Sequence, residues 1–219
     1  MLQWPGKTYL KNQLEGCKFS IISNDCFGAE MYRWIDRPYN TPFVGLMVMA
    51  PCYIGLIKNF EHNILQPLSF TKSTRYPEME DFRHRRNNYP LGLINDAEIH
   101  FLHYHSEIEA YEKWNRRRDK IDFDNLRFKF CLDKDFATLE HLKTFDELKF
   151  PYKLCLGEQP ISGFQSFAHI PGLPFNGAGA FRHSLQYVNI AGWLQNGDFR
   201  FENKREEMMG HFLYRSLKR

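Results

Sequence analysis

The chain has 219 residues, 43% hydrophobic and 25% charged, a balance that excludes a disordered or fibrous protein and suffices for a sizeable core. Its 29 basic and 26 acidic side chains leave a formal net charge of +3, too small to mark a nucleic-acid binder. Cys17, Cys26, Cys52, Cys131 and Cys155 are odd in number and form no C-x-x-C pair, which points away from a disulfide framework or structural zinc and toward reduced thiols in a cytoplasmic protein.

Residues 1–16 lack the apolar core of a secretory leader. The uncharged stretch 38–57 is long enough to span a bilayer, but Pro38, Pro42 and Pro51 interrupt it. Residues 17–23 predict a strand, 24–28 a polar turn, and 29–35 a helix capped by Asn24 or Asp25. The apolar run 44–49 predicts a strand buried on both faces. Pro51 opens a helix to about 65, with Ile54, Ile57, Phe60 and Ile64 at helical spacing.

Residues 66–90 are a break with three prolines and the basic cluster Arg83-His84-Arg85-Arg86. Residues 91–94 and 98–104 flank Asn95-Asp96 as a hairpin. Ser106 with Glu109 forms a capping box for a helix to about 120, with Ile108, Tyr111 and Trp114 as its buried stripe. A strand at 126–132 precedes a helix capped by Asp135, with Phe136, Leu139, Leu142 and Phe145 on one face. A short strand follows at 152–156.

Beyond 159 the pattern weakens. Residues 176–180 read as a flexible loop, 183–194 as a helix, and 202–217 as a terminal helix presenting Met208, Met209, Phe212 and Leu213 to the core. The whole predicts a single layered α/β domain. Its sheet is mostly parallel or mixed, with helices on both faces and an irregular C-terminal third.

In such sheets ligands bind outside the carboxyl ends of the strands. That rule selects Asn24, Asp25, His103, Tyr104, His105, Asp133 and Glu158. Asp25, His103 and Glu158 carry acid, base or ligand groups, against a plain reading as caps and hydrogen-bonding residues. Cys26, at a helix start where a thiolate is stabilised, also reads simply as a small buried residue. His100, His103 and His105 have ligand-like spacing but no third partner in view. Asp122-Phe123-Asp124 spells a D-x-D that suits Mg²⁺ or Mn²⁺, or a turn at Asp124-Asn125. Arg116, Arg117 and Arg118 end a helix, as dipole partners or as phosphate ligands.

Four stretches taken together, 22–28, 39–43, 99–104 and 113–117 with 121–126 just after it, resemble a bacterial family, domain of unknown function nineteen-nineteen. Some of its members are labelled exopolysaccharide biosynthesis protein. The resemblance covers about 17–157, and it carries over no catalytic residue. It implies a cytosolic protein of surface-polysaccharide assembly. The leading expectation is transfer of a glycosyl or related group from a phosphate-activated donor such as a nucleotide sugar. Asp25 or His103 would act as base, Arg116 and Arg117 would face donor phosphates, and Asp124 and Asn125 would position donor or metal. Asn24 and Tyr104 would line the same substrate site. The alternative is a non-catalytic carbohydrate-binding or assembly protein, in which exposed Tyr39, Tyr104 and Trp114 stack on sugars.

Overall fold

A computed structural model describes residues 5–216. Helix α1 (Pro5–Gln13) precedes strand β1 (Ser20–Ser23) and helix α2 (Phe27–Trp34). Helices α3 (Ala50–Lys58) and α4 (Phe60–Ile64) lead to β2 (Ser69–Thr71) and α5 (Glu80–His84). The hairpin β3 (Leu91–Ile94) and β4 (Ala97–His100) is followed by α6 (Glu107–Arg118), β5 (Leu126–Cys131) and α7 (Leu139–Glu147). The chain continues through β6 (Lys153–Gly157), β7 (Phe167–His169), α8 (Gly177–Ser184), α9 (Ile190–Asn196) and α10 (Lys204–Ser216).

The main sheet has the order β1-β5-β6-β7 and is parallel throughout. The hairpin does not mix into it; β2, β3 and β4 form a separate antiparallel sheet. Successive side chains of a strand point to opposite faces, so the main sheet separates two cores. Ile22, Phe128 and Phe130 face a core shared with α3, α4, α6, α7 and the small sheet. Ile21, Leu154 and Leu156 face a core shared with α1, α2 and α8 to α10. The result is a layered α/β fold with helices on both faces.

Residues 44–49 are not the expected strand. Gly45 takes a left-handed φ of +71°, and the segment instead bridges the two sheets. Met47 pairs with His100 of the small sheet, and the Val48 N–H donates to the Asn24 carbonyl at 2.8 Å. The helix expected to run to 65 breaks at Asn59, where Asn63 Nδ2 donates to the Gly55 and Leu56 carbonyls.

Ser106 caps α6, but the Glu109 carboxylate accepts from the His105 N–H and does not close the expected capping box, and Ile108 and Tyr111 are exposed. Ala110 and Trp114 form the buried stripe, and Trp114 packs on Phe43 and Phe101. The cap of α7 is Thr138, paired reciprocally with His141, because Asp135 and Phe136 both take left-handed φ values and cannot begin a helix.

The C-terminal third is more regular than expected. β7 completes the sheet, and residues 176–180 are the start of α8, capped by the Asn176 side chain. The helix expected over 183–194 is two helices, α8 and α9. In α10 Leu213 is buried, whereas Met208 and Phe212 are exposed. Leu217, the expected last residue of that helix, and residues 1–4 lie outside the described residues. Among the described residues no helix is long and apolar enough to cross a membrane. All five cysteines are free thiols.

Candidate functional site

The adjacent ends of β1 and β5 carry a concentration of buried charge. Asp25 lies two residues past β1, and its side chain is only 6% exposed. Its Oδ2 accepts from Lys129 Nζ at 2.7 Å and from Lys134 Nζ at 2.6 Å. Its Oδ1 accepts from the Ser23 hydroxyl and the Phe27 N–H, both at 3.0 Å. The second of these bonds places the carboxylate on the N-terminus of α2, where a negative charge is stabilised.

Helix α8, packed on α2 in the core that Lys129 faces, closes the site. A Cβ at Gly177 would stand 2.6 Å from the Cys26 nitrogen and 2.7 Å from Asp25 Cγ, so only glycine fits there. Lys134 Nζ also donates to the Phe175 carbonyl at 2.7 Å, tying the approach to α8 onto the sheet edge. Burial alone would raise the Asp25 pKa, but the two lysines outweigh it and hold the carboxyl well below the usual carboxylate range. Burial opposes the charge on Lys134 as well, and Asp25 overcomes it, so the ammonium titrates above the ordinary lysine range.

Asp135 lies beside this cluster, with Asn24 Nδ2 3.5 Å from its Oδ2. Burial pushes its pKa up to about 6; Lys134 resists the shift and the Asp25 charge adds to it. Two lysines thus face one carboxylate held ionised by them and a second whose pKa is raised to about 6. With Asp135 protonated the cluster holds one surplus positive charge, and with Asp135 ionised it is balanced. Asn24 is wholly buried, and its Oδ1 has no hydrogen-bond donor among the described residues. Phe175 is 70% exposed, with Lys134 Nζ 5.7 Å from its ring centre. This arrangement can hold an anion against surplus positive charge and exchange a proton at Asp135.

Asn24 and Asp25 are therefore together, and the bridging segment 44–49 links them to a second group. Tyr104 donates to the Val44 carbonyl at 2.6 Å and accepts from Arg117 Nη1 at 2.6 Å. The Arg117 guanidinium also lies over the Tyr39 ring. Val44 is four residues from Val48, whose N–H donates to the Asn24 carbonyl, so one short segment joins this group to the cluster. Tyr104 and Trp114 are buried and Tyr39 is half-buried. The expected sugar platform of these three rings is not formed, because each packs on a neighbouring aromatic or cation.

His103 and His105 are exposed beyond β4, outside the parallel sheet. Partial burial and Arg86 lower the pKa of His103. His100 is buried between Tyr89 and Glu98. Arg116 is exposed on α6. Asp124 and Asn125 precede β5 at the amino edge of the sheet, a strand length of about 20 Å from Asp25. Asn125 donates to Asp122 there, so the D-x-D forms a turn. Glu158 is exposed, and its N–H donates to Asp133. Among the described residues no three His, Cys, Asp or Glu side chains are gathered to hold a metal ion.

Cys26 stands at the N-cap of α2, yet burial, reinforced by Asp25, pushes its thiol up to about 11. It is no stabilised thiolate. Intact-mass measurement should show Cys26 unmodified by iodoacetamide at pH 7–8, with alkylation rising only toward its pKa. Rapid labelling at neutral pH would contradict this environment.

Lys129 and Lys134 escaped the sequence reading, and Asp135 entered it only as a helix cap. Nothing local marked the first, because a lysine between Phe128 and Phe130 reads as the solvated side of a strand.

The family described as Domain of unknown function (DUF1919) matches residues 6–189. The match reaches beyond 17–157 at both ends and takes in α8. A protein of Haemophilus influenzae, described as an uncharacterized protein, is 33% identical over 163 residues, covering 74% of this chain and 73% of that relative. The chain belongs to the DUF1919 family.

Proposed function

We propose that this DUF1919 protein acts at the carboxyl edge of its parallel sheet on a phosphate-activated sugar. It would transfer the glycosyl or related group to an acceptor hydroxyl during cytoplasmic steps of bacterial exopolysaccharide assembly. The observation that carries the reading is the pairing of a proton-ready Asp135 with a buried two-lysine cluster. A developing diphosphate charge needs fixed positive charge, and an attacking hydroxyl needs an acceptor for its proton.

In this reading Asp135 accepts the proton, and the buried Asn24 positions it through its Nδ2. Lys134 faces the phosphate, and Phe175 offers a ring face to sugar or base. Asp25, too acidic to serve as the base, positions the two lysines. Arg117 and Tyr104 extend the site along the bridging segment. Arg116 and His103 stand at its exposed margin, and Asp124 and Asn125 lie beyond its reach.

Thermal unfolding in the presence of nucleotide sugars, with and without Mn²⁺, tests it. A bound donor at about tenfold its Kd should raise Tm by about 3–6 °C. Asp135→Asn should keep that shift and lose turnover, whereas Lys134→Ala should lose the shift. No donor moving Tm at several millimolar would remove the transferase reading.

A further inference from the structure

A wide cleft lies along α3, and no residue of the Asp25 cluster lines it. The Ala50 N–H donates to the Asp135 carbonyl, and Phe136 stacks on Tyr76 with ring centres 5.0 Å apart; these contacts separate the two places. The cleft encloses about 1080 Å³ between α3, α4, the β3–β4 turn and residues 75–76. Binding sites for compounds of drug size fall in the range of about 300–1,000 Å³, so this one has room for more than a single sugar ring.

Its lining is divided. Leu56 and Ile94 are buried and form an apolar floor, while His62, Arg75, Asn95 and Asp96 are exposed around it. That division suits a saccharide, whose C–H faces are apolar and whose hydroxyls project from the ring edges. The carboxylate of Asp96 and the side-chain carbonyl of an asparagine accept hydroxyl protons, and the guanidinium of Arg75 calls for an anion.

The cation is held in place from below. Glu98 is buried; it accepts from the Thr74 hydroxyl and, at 2.9 Å, from the Arg75 N–H. Its Oε2 stands 3.9 Å from Arg75 Nε, and its Oε1 stands 2.8 Å from the buried His100. The Arg75 side chain remains 45% exposed. A buried acid, with histidine against its other oxygen, thus fixes the backbone under a half-exposed arginine at the cleft wall. Such prior fixing lowers the ordering cost of binding.

We infer that this cleft is a binding site for an acidic saccharide longer than one ring, its carboxylate or phosphate held by Arg75 and its hydroxyls by Asp96 and Asn95. The inference does not depend on the activity proposed for the sheet edge.

Backbone-amide NMR titration of the full chain tests it with trigalacturonate and trehalose phosphate as acidic probes, and maltotriose and trehalose as their neutral counterparts. At least one acidic probe should shift the amides of Gly55, Asn95 and Ala97 saturably, with a Kd of about a millimolar or tighter. Its neutral counterpart should bind about tenfold more weakly. The acidic probe that binds identifies the anion as carboxylate or phosphate. Arg75→Gln, which keeps the N–H that Glu98 holds, should weaken that probe about tenfold and bring it level with the neutral sugar. Asp96→Asn should weaken acidic and neutral probes alike, and Lys134→Ala should change neither.

Three results would overturn the inference. One is the absence of shifts at the cleft with either acidic probe at about 20 mM. Another is unchanged affinity in Arg75→Gln. The last is a set of shifts at the sheet edge that disappears in Lys134→Ala.

Discussion

Asp25→Ala should destabilise the fold by about 3–5 kcal/mol, because it strands two buried ammonium groups without a counter-charge. Lys129 is wholly buried and Lys134 is 5% exposed at its side chain, so water cannot replace the lost carboxylate. Lys129→Met should cost less, since Lys134 still pairs with Asp25 and the thioether fits beside the Phe27 ring, which lies 5.0 Å from the ammonium. The double variant Asp25→Ala with Lys129→Met should recover part of the loss, giving a coupling well above that of an exposed pair. Urea unfolding of the four proteins measures this. A loss below about 1 kcal/mol for Asp25→Ala would show that the pair is not buried.

The same carboxylate sets the acid limit. Its folded pKa is depressed, so its stabilisation is complete above the unfolded value of about 3.9 and disappears as pH falls below it toward the folded value. Asp25→Asn should flatten the stability profile in that acid range.

Asp135 should act in the opposite direction. Its pKa is raised from 3.8 to about 6, so folding favours the protonated form. The associated stability is present below about pH 4 and is lost as pH rises through 6. Asp135→Asn should therefore remove a fall in stability between pH 4 and 6 and leave the protein about 1–3 kcal/mol more stable at pH 8. If Asp135 is the base of a transfer reaction, the same substitution should abolish turnover, and the native rate should climb with a midpoint near 6. Carboxyl ¹³C titration reads the group directly. An ordinary midpoint near 3.9 would remove both the stability claim and the role as base.

The legible parts of this fold were those set by local chemistry. Ser106 accepts from the Glu109 N–H as its spacing requires, and the 91–104 hairpin turns at Asn95, whose φ of 49° suits an asparagine. Asn24 and Asp25 were legible because a polar pair after an apolar run marks a strand end. What stayed hidden depends on distant partners. Arg127 and Lys129 alternate with Phe128 and Phe130, the pattern of a half-solvated strand. Both cations are in fact buried, one on the Leu194 carbonyl and the Tyr152 ring, the other on Asp25. No local rule reports such a pairing. Residues 176–180 misled for a related reason: Gly177 looks like flexibility, and its use is to let a helix end press against Asp25. The helical stripes of α6 and α10 failed where several apolar residues competed for the buried side, and only contacts from remote strands and helices decided among them.

The Asp25–Lys129 bond joins residues 104 positions apart in the chain, and β1 has no sheet neighbour until β5 exists. At ribosomal speeds of about 5–20 residues per second, the emerging β1 waits about 5–20 s for that neighbour. During the wait its apolar residues and lone carboxylate lie open to whatever else is nearby. Assembly of the central sheet is thus a late event in the birth of the molecule, and that interval is when a holding chaperone would matter most.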